Sequence, residues 1–187
     1  MPPKVKISKQ NIIDTALGLL RENGEGAINA RSIANALGCS TQPIFSNFSS
    51  MEELEESVTY AAYECYCGFL TREMQSGKYP AYKSYGMAYI RFAGEERELF
   101  KHLFMCDRKG KELKFTADFD ESVEMIMKSG QISKEKATMM HLEMWVSVHG
   151  IAAMIATSFL ELETELISDM ITDIYQGLRA RQFTEEN

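Results

Sequence analysis

One unbroken stretch, Asn29 to Leu54 (NARSIANALGCSTQPIFSNFSSMEEL), constrains the fold more than any other part of the chain. Its pattern is a helix, a tight turn and a second short helix, followed at once by the capped start of a third. Ile33, Ala34 and Leu37 give the first helix an apolar stripe at helical spacing. Gly38 ends that helix, because the backbone must leave the right-handed region there and glycine does so without a Cβ penalty. Ser40 or Thr41 can cap the next helix, and Pro43 falls in its first turn, where a missing N–H costs nothing. This second helix sets Ser40, Thr41, Gln42, Ser46 and Asn47 beside an apolar side of Ile44, Phe45 and Phe48. A packed back with a short polar front is what reading a major groove requires. Double-stranded DNA is therefore the expected partner.

The same residues resemble the N-terminal domain of TetR-family transcriptional regulators. The family pattern runs from an Ile-x-x-Ala-like first helix ending in Gly through Ile-Ala, Gly-Val-Ser and Leu-Tyr-x-x-Phe to Lys-Glu-x-Leu. Here it is matched by Ile12/Ile13, Ala16, Leu20 and Gly24, then by Ile33-Ala34 and Gly38-Cys39-Ser40. Ile44-Phe45-Ser46-Asn47-Phe48 and Met51-Glu52-Glu53-Leu54 complete it, in one register over about a quarter of the chain. The chain departs from the family where Phe45 stands for a frequent Tyr and Met51 for a frequent Lys, losing a hydroxyl and a charge that usually contact phosphate. The resemblance implies a ligand-responsive regulator, in the simplest case a repressor that binds a palindromic operator as a homodimer. A small apolar effector of unknown identity would release it.

Beyond the motif, four prolines in 187 residues and no sustained apolar–polar alternation predict an all-α chain. A first helix is expected from about Lys9 to Asn23, burying Ile12, Ile13, Ala16, Leu17 and Leu20. Ser50 and Glu53 form a candidate capping box for a long helix from Met51 to about Gln75. Further helices are expected near 81–93, 95–104 and 117–128, from Ser133 to about Phe159, and from Glu163 to about Arg181. A charged loop at Asp107–Lys111 interrupts them. That makes about nine helices in two domains. Residues 1–52 form a three-helix, helix-turn-helix DNA-binding domain, and 53–187 a helical bundle for ligand binding and dimerisation.

Net charge is −7, which at first argues against nucleic acid, but the charge is uneven. Residues 1–50 carry five basic side chains against three acidic ones, a net +2, and the remainder carries −9. A mildly basic head on an acidic body fits a reader of DNA with few phosphate contacts and a shallow salt dependence. No continuous apolar run approaches the ~18 residues of a membrane span, and the lysine-bearing N-terminus lacks an apolar h-region. Reduced cysteines (Cys39, Cys65, Cys67, Cys106) and a cytoplasmic location are expected, with no membrane partner.

For DNA contact the resemblance nominates Thr41, Gln42, Pro43, Phe45, Ser46 and Asn47. Gln and Asn suit adenine edges, hydroxyls suit phosphates, and the Phe45 ring suits a sugar or a thymine methyl. Ser40 and Ser49 adjoin them, and Lys9 and Arg31, each near a helix start, are the cationic candidates. Trp145-Val-Ser-Val-His-Gly150 resembles a segment of the penultimate long helix in one TetR subgroup. Trp145 and His149 share a face there, as a pocket wall or as core, with Gly150 admitting a close helix crossing. Tyr63, Tyr66, Tyr89, Phe92, Phe104, Met105 and Met144 are further candidates to line an apolar cavity, in a body that holds ten of the twelve methionines.

Leu162, Leu166, Met170, Ile174 and Leu178 recur every four residues, flanked by Ile167, Ile171 and Tyr175. By the resemblance this stripe forms the dimer interface, through the last two long helices. Metal and cofactor are not expected: the Cys65-x-Cys67 pair points in two directions on a helix, and the three histidines lack ligand spacing. Nor is an enzyme expected, for want of a phosphate loop, a nucleophile elbow or a strand to carry either. A helical protein-interaction module and a small-molecule carrier without a DNA role are the alternatives.

Overall fold

A computed structural model of the chain describes residues 7–107 and 117–184, excepting the side chains of 117, 118 and 182–184. Nine α-helices, one 3-10 turn and no strand occur among the described residues. The predicted loop at Asp107–Lys111 lies, after Asp107, outside them. Two compact units divide the chain.

The first unit runs to Cys67 and takes in Glu96–Cys106. It opens with α1 (Lys9–Asn23), capped by Ser8: the Asn11 N–H donates to Ser8 Oγ at 3.1 Å, and Asn11 Oδ1 accepts from the Ser8 N–H at 3.1 Å. Gly24 ends α1 at φ 76°, and a Cβ there would lie 2.9 Å from Glu98 Oε2, so glycine is needed twice over. A 3-10 turn at Glu25–Ala27, which the sequence pattern does not announce, leads into α2 (Ala30–Ala36). Asn29 caps α2 by accepting from the Ser32 N–H at 2.9 Å. Gly38 then turns the chain at φ 64°.

After the turn come α3 (Gln42–Asn47) and α4 (Met51–Ser76), the latter crossing from the first unit into the second, and later α6 (Arg97–Phe104). Ile12, Ala16, Leu20, Ile33, Ile44, Phe48, Leu54 and Val58 are almost wholly removed from solvent, as are Leu99, Phe100 and Leu103 of α6. Ile13 and Leu17, expected inside, are only half-buried, because the α1 stripe is one residue per turn wide here.

The second unit holds the end of α4 with α5 (Ala81–Glu95), α7 (Ala117–Gly130), α8 (Lys134–Ala156) and α9 (Thr164–Thr184). By length and composition alone α8 is apolar enough to cross a membrane, although His141, Glu143, Ser147 and His149 keep it from being a continuous apolar run. Its buried residues, Ala137, Met140, Met144, Val148, Ile151, Ala152 and Ala156, step by three and four and so face one side. That side packs on α5 and α7. The close approach comes from α5 rather than from Gly150. A Cβ on Gly86 would lie 3.4 Å from Val148 Cγ2 and one on Gly94 3.5 Å from Ile155 Cγ2, whereas one on Gly150 would meet nothing within 4 Å.

Helix α8 stops at Ala156, short of the expected Phe159. Ser158 adopts φ 57°, and the Phe159 N–H turns back to the Met154 carbonyl at 2.9 Å, a left-handed reversal that leaves Phe159 exposed.

Candidate nucleic-acid interface

The helix-turn-helix is held from behind. Ile33 and Ala34 of α2 and Ile44 of α3 are buried, and Phe48 closes α3 at its C-terminal end. With Ile44 and Phe48 inward, Phe45 sits about 100° round the helix from Ile44, beside the buried side, and it is 55% exposed. Phe45 therefore does not share the apolar side with Ile44 and Phe48, as the sequence pattern suggested. Ser40, Thr41, Gln42 and Ser46, close to it in sequence, are exposed as well. Thr41 occupies the N-cap position of α3 without a side-chain capping bond, and Pro43, half-buried, supplies the preset first turn.

Several polar groups of this surface are committed to the chain itself. Ser46 Oγ donates to the Gln42 carbonyl at 2.9 Å, and Asn47 Nδ2 donates to the Pro43 carbonyl at 2.8 Å, leaving Asn47 half-buried. The predicted capping box at α4 is skewed. Ser50 Oγ accepts from the Glu53 N–H at 3.3 Å, but the Glu53 carboxylate reaches Ser49 instead of Ser50, at 2.8 Å from both its N–H and its hydroxyl. Lys9 Nζ lies 2.7 Å from the same carboxylate and over the Phe48 ring. Glu53 is consequently held well below the usual carboxylate range, at about 2, by Lys9 first and Ser49 next. Arg31 is exposed on α2.

Other polar contacts of the first unit carried no local sequence signal. Arg21 binds Glu96 at 2.7 Å, which raises the guanidinium pKa, and its Nη2 lies 3.7 Å from Cys65 Sγ. His102 bonds Thr59 at 2.8 Å and faces Glu25 at 3.7 Å, in the wall of a cleft of about 240 Å³ lined also by Glu98, Lys101, Met105 and Cys106. These are long-range pairs between helices, which periodicity cannot report.

The nine residues nominated for a cavity fall into two groups. Tyr63, Tyr66, Phe104 and Met105 belong to the first unit, where Tyr66 packs edge-on against Phe104 at 5.4 Å and Met105 lines the cleft. Tyr89, Phe92, Met144, Trp145 and His149 belong to the second. Tyr89, Phe92 and Met144 are buried there, and the Tyr89 hydroxyl lies 2.9 Å from His149 Nδ1. Trp145, expected buried, is 49% exposed and stacks on His149 at 5.8 Å. A second pair of the same kind, Tyr82 with His141 at 2.9 Å, also joins α5 to α8. Burial lowers both imidazole pKa values and raises that of the Tyr82 phenol, so each pair is neutral.

Of the five residues nominated for an interface, Leu162 precedes α9 and is half-buried, while on α9 Leu166 is 49% exposed and Met170, Ile174 and Leu178 are half-buried. Leu178 packs with Tyr175 on the Val123–Ile126–Ala137–Met140 cluster of its own unit. The larger exposed apolar surface is on α8, at Met139, Leu142, Trp145 and Val146. None of the four cysteines is in a disulfide, and no group of three His, Cys, Asp or Glu side chains fit to hold a metal occurs among the described residues.

No protein-family model matches the chain, and no curated protein does. Among solved structures it is similar to a TetR-like transcriptional regulator from Rhodococcus sp. RHA1, with a TM-score of 0.66, 15% identity and 98% of each chain covered. It is likewise similar to a TetR family protein from Vibrio parahaemolyticus, with a TM-score of 0.63 and 17% identity, over 89% of this chain and 96% of that one. At these identities the likeness is one of fold, and it is the all-α fold that the helix-turn-helix signature led the sequence to expect.

Proposed function

We propose that the chain is a DNA-binding transcriptional regulator of the TetR type, a homodimer that reads a palindromic operator as a repressor and is released by a small apolar effector. One observation carries the reading: a short helix after a tight glycine turn, its back buried through Ile44 and its front exposing Thr41, Gln42, Phe45 and Ser46. Such a helix fits a major groove, where Gln42 can pair with an adenine edge and Phe45 can meet a thymine methyl. Residues 1–52 are the reading head and 53–187 the responsive body. The fold shared with two solved TetR-like proteins supports this assignment.

Dimerisation is assigned to α8 and α9, where Leu142, Trp145, Val146 and Leu166 offer apolar surface that a second copy would cover. The effector is assigned to the region of Tyr89, Met144 and His149, where a neutral hydrogen-bonded pair is set among apolar side chains. The reading has no enzymatic step, metal or cofactor, and it places the protein in the cytoplasm with the genome.

Selection of genomic fragments by the purified protein at low salt tests it. An enriched palindrome with half-sites about 34 Å apart is expected, and a folded protein that enriches nothing, with or without candidate effectors, overturns the reading. On the enriched site, Gln42→Ala with Asn47→Ala is expected to weaken binding by about fivefold or more, since one bidentate base contact is worth about 1–3 kcal/mol. Unchanged affinity would remove these residues from the interface.

A further inference from the structure

Lys9, a cation suited by position to a DNA phosphate, is already held by its own chain. One oxygen of Glu53 lies 2.7 Å from Lys9 Nζ, and the other accepts the Ser49 N–H and the Ser49 hydroxyl, each at 2.8 Å. An ammonium, a backbone N–H at a helix start and a hydroxyl are the donors that proteins turn toward phosphate oxygens. Here one carboxylate takes all three. The contact is open to solvent, with Lys9 47% and Glu53 37% exposed, and Ser49 lies two residues past Asn47, the last residue of α3. The carboxylate stays ionised at any physiological pH, because its pKa is held at about 2.

We propose that Glu53 is an internal competitor of the DNA backbone: in the free protein its carboxylate occupies Lys9 and Ser49, and a phosphate reaches those donors only by displacing it. This rests on the DNA-binding reading above. An exposed ion pair is weak enough to open, so the contact does not forbid binding. Instead it cancels one of the few positive charges of the head, removes one counterion-releasing contact from the free-energy balance, and makes the salt dependence shallower. It also keeps the head from gripping DNA indiscriminately, leaving a larger share of affinity to base contacts from α3.

The test compares the full-length protein with Glu53→Gln, Lys9→Gln and the double variant on a random-sequence duplex across a salt series. Gln at 53 keeps an oxygen for Ser49, so the start of α4 is preserved. Glu53→Gln is expected to bind roughly tenfold tighter at low salt, with the slope of log K against log salt steeper by about 0.9. Lys9→Gln is expected to abolish that gain in the Glu53→Gln background and to leave the wild-type slope unchanged. Unaltered or weaker binding by a folded Glu53→Gln protein overturns the proposal. If that variant does not fold, Lys9→Gln alone decides: a wild-type slope reduced by about 0.9 shows Lys9 already on a phosphate and overturns it. Failure of the wild type and every variant to bind any duplex at low salt overturns the DNA-binding reading together with the competitor.

Discussion

On α3, two of the polar side chains nominated for DNA, Ser46 and Asn47, donate to carbonyls of their own helix, and next to it Lys9 and Ser49 are gathered by Glu53. On α8 the opposite holds: Met139, Leu142, Trp145 and Val146 stand in solvent, although apolar side chains gain about 25 cal/mol for each Å² removed from water. The head thus presents a surface half of whose nominated polar side chains are satisfied by the chain itself, and the body one whose apolar groups stay open. A satisfied polar surface binds only by exchanging one set of hydrogen bonds for another, which favours selectivity over strength. An unsatisfied apolar surface gains from any dry, complementary cover, which favours stable self-association.

The largest effect is expected behind the head's polar front. Phe48 is 2% exposed, and Phe48→Ala should cost about 3–5 kcal/mol in denaturant unfolding. A cost below about 1 kcal/mol would show that the packed back does not hold α3. Next, Leu142→Glu with Val146→Glu should weaken self-association about a hundredfold or more in sedimentation, equivalent to about 2.7 kcal/mol. Secondary structure should survive, because both positions are solvent-exposed in the single chain. An unchanged dimer would move the interface elsewhere and break the contrast.

A third effect comes from the buried pairs of the second unit. His141 and His149 have folded pKa values lowered from 6.5 by burial, so the unfolded chain takes up their protons first. Their contribution is complete above about pH 6.5 and is lost as the pH falls through the folded values. The thermal midpoint should therefore drop between neutral and mildly acidic pH, and replacing both histidines by Gln should flatten that dependence. A midpoint that rises on acidification would contradict neutral pairs. Smaller still, Gly150→Ala should stabilise the chain by about 0.5–1 kcal/mol, since the helix gains and the added Cβ meets nothing. A loss of dimer affinity in the same variant would place Gly150 in the covered face.

Much of the local structure was legible because its causes are local. Gly24, Gly38 and Pro43 each act within one turn of backbone, and α1 stops, the chain turns and α3 starts where the sequence put them; the caps at Ser8 and Asn29 are equally local, although the sequence reading did not name them. The reach of α8 was less legible, since a left-handed Ser158 carries no compositional mark. The candidate site divides in the same way. That α3 has a buried back follows from the spacing of Ile44 and Phe48. That Phe45 faces solvent while Asn47 folds back to Pro43 depends on helix phase and on what the neighbouring turn leaves open.

Sequence alone determined an all-helical chain, the glycine-bounded helix-turn-helix and the mildly basic head, because helix periodicity, caps and charge are properties of neighbouring residues. Only the tertiary structure decided which groups are already taken. Lys9 meets Glu53 across forty-four residues, Arg21 meets Glu96 across seventy-five, and Tyr89 meets His149 across sixty. Which of two chemically suitable side chains meets a given partner is set by how helices pack, and packing depends on the whole core at once. The same packing fixed which apolar stripe was consumed inside, α9 through Ile167 and Ile171, and which was left open, α8 through Leu142 and Val146.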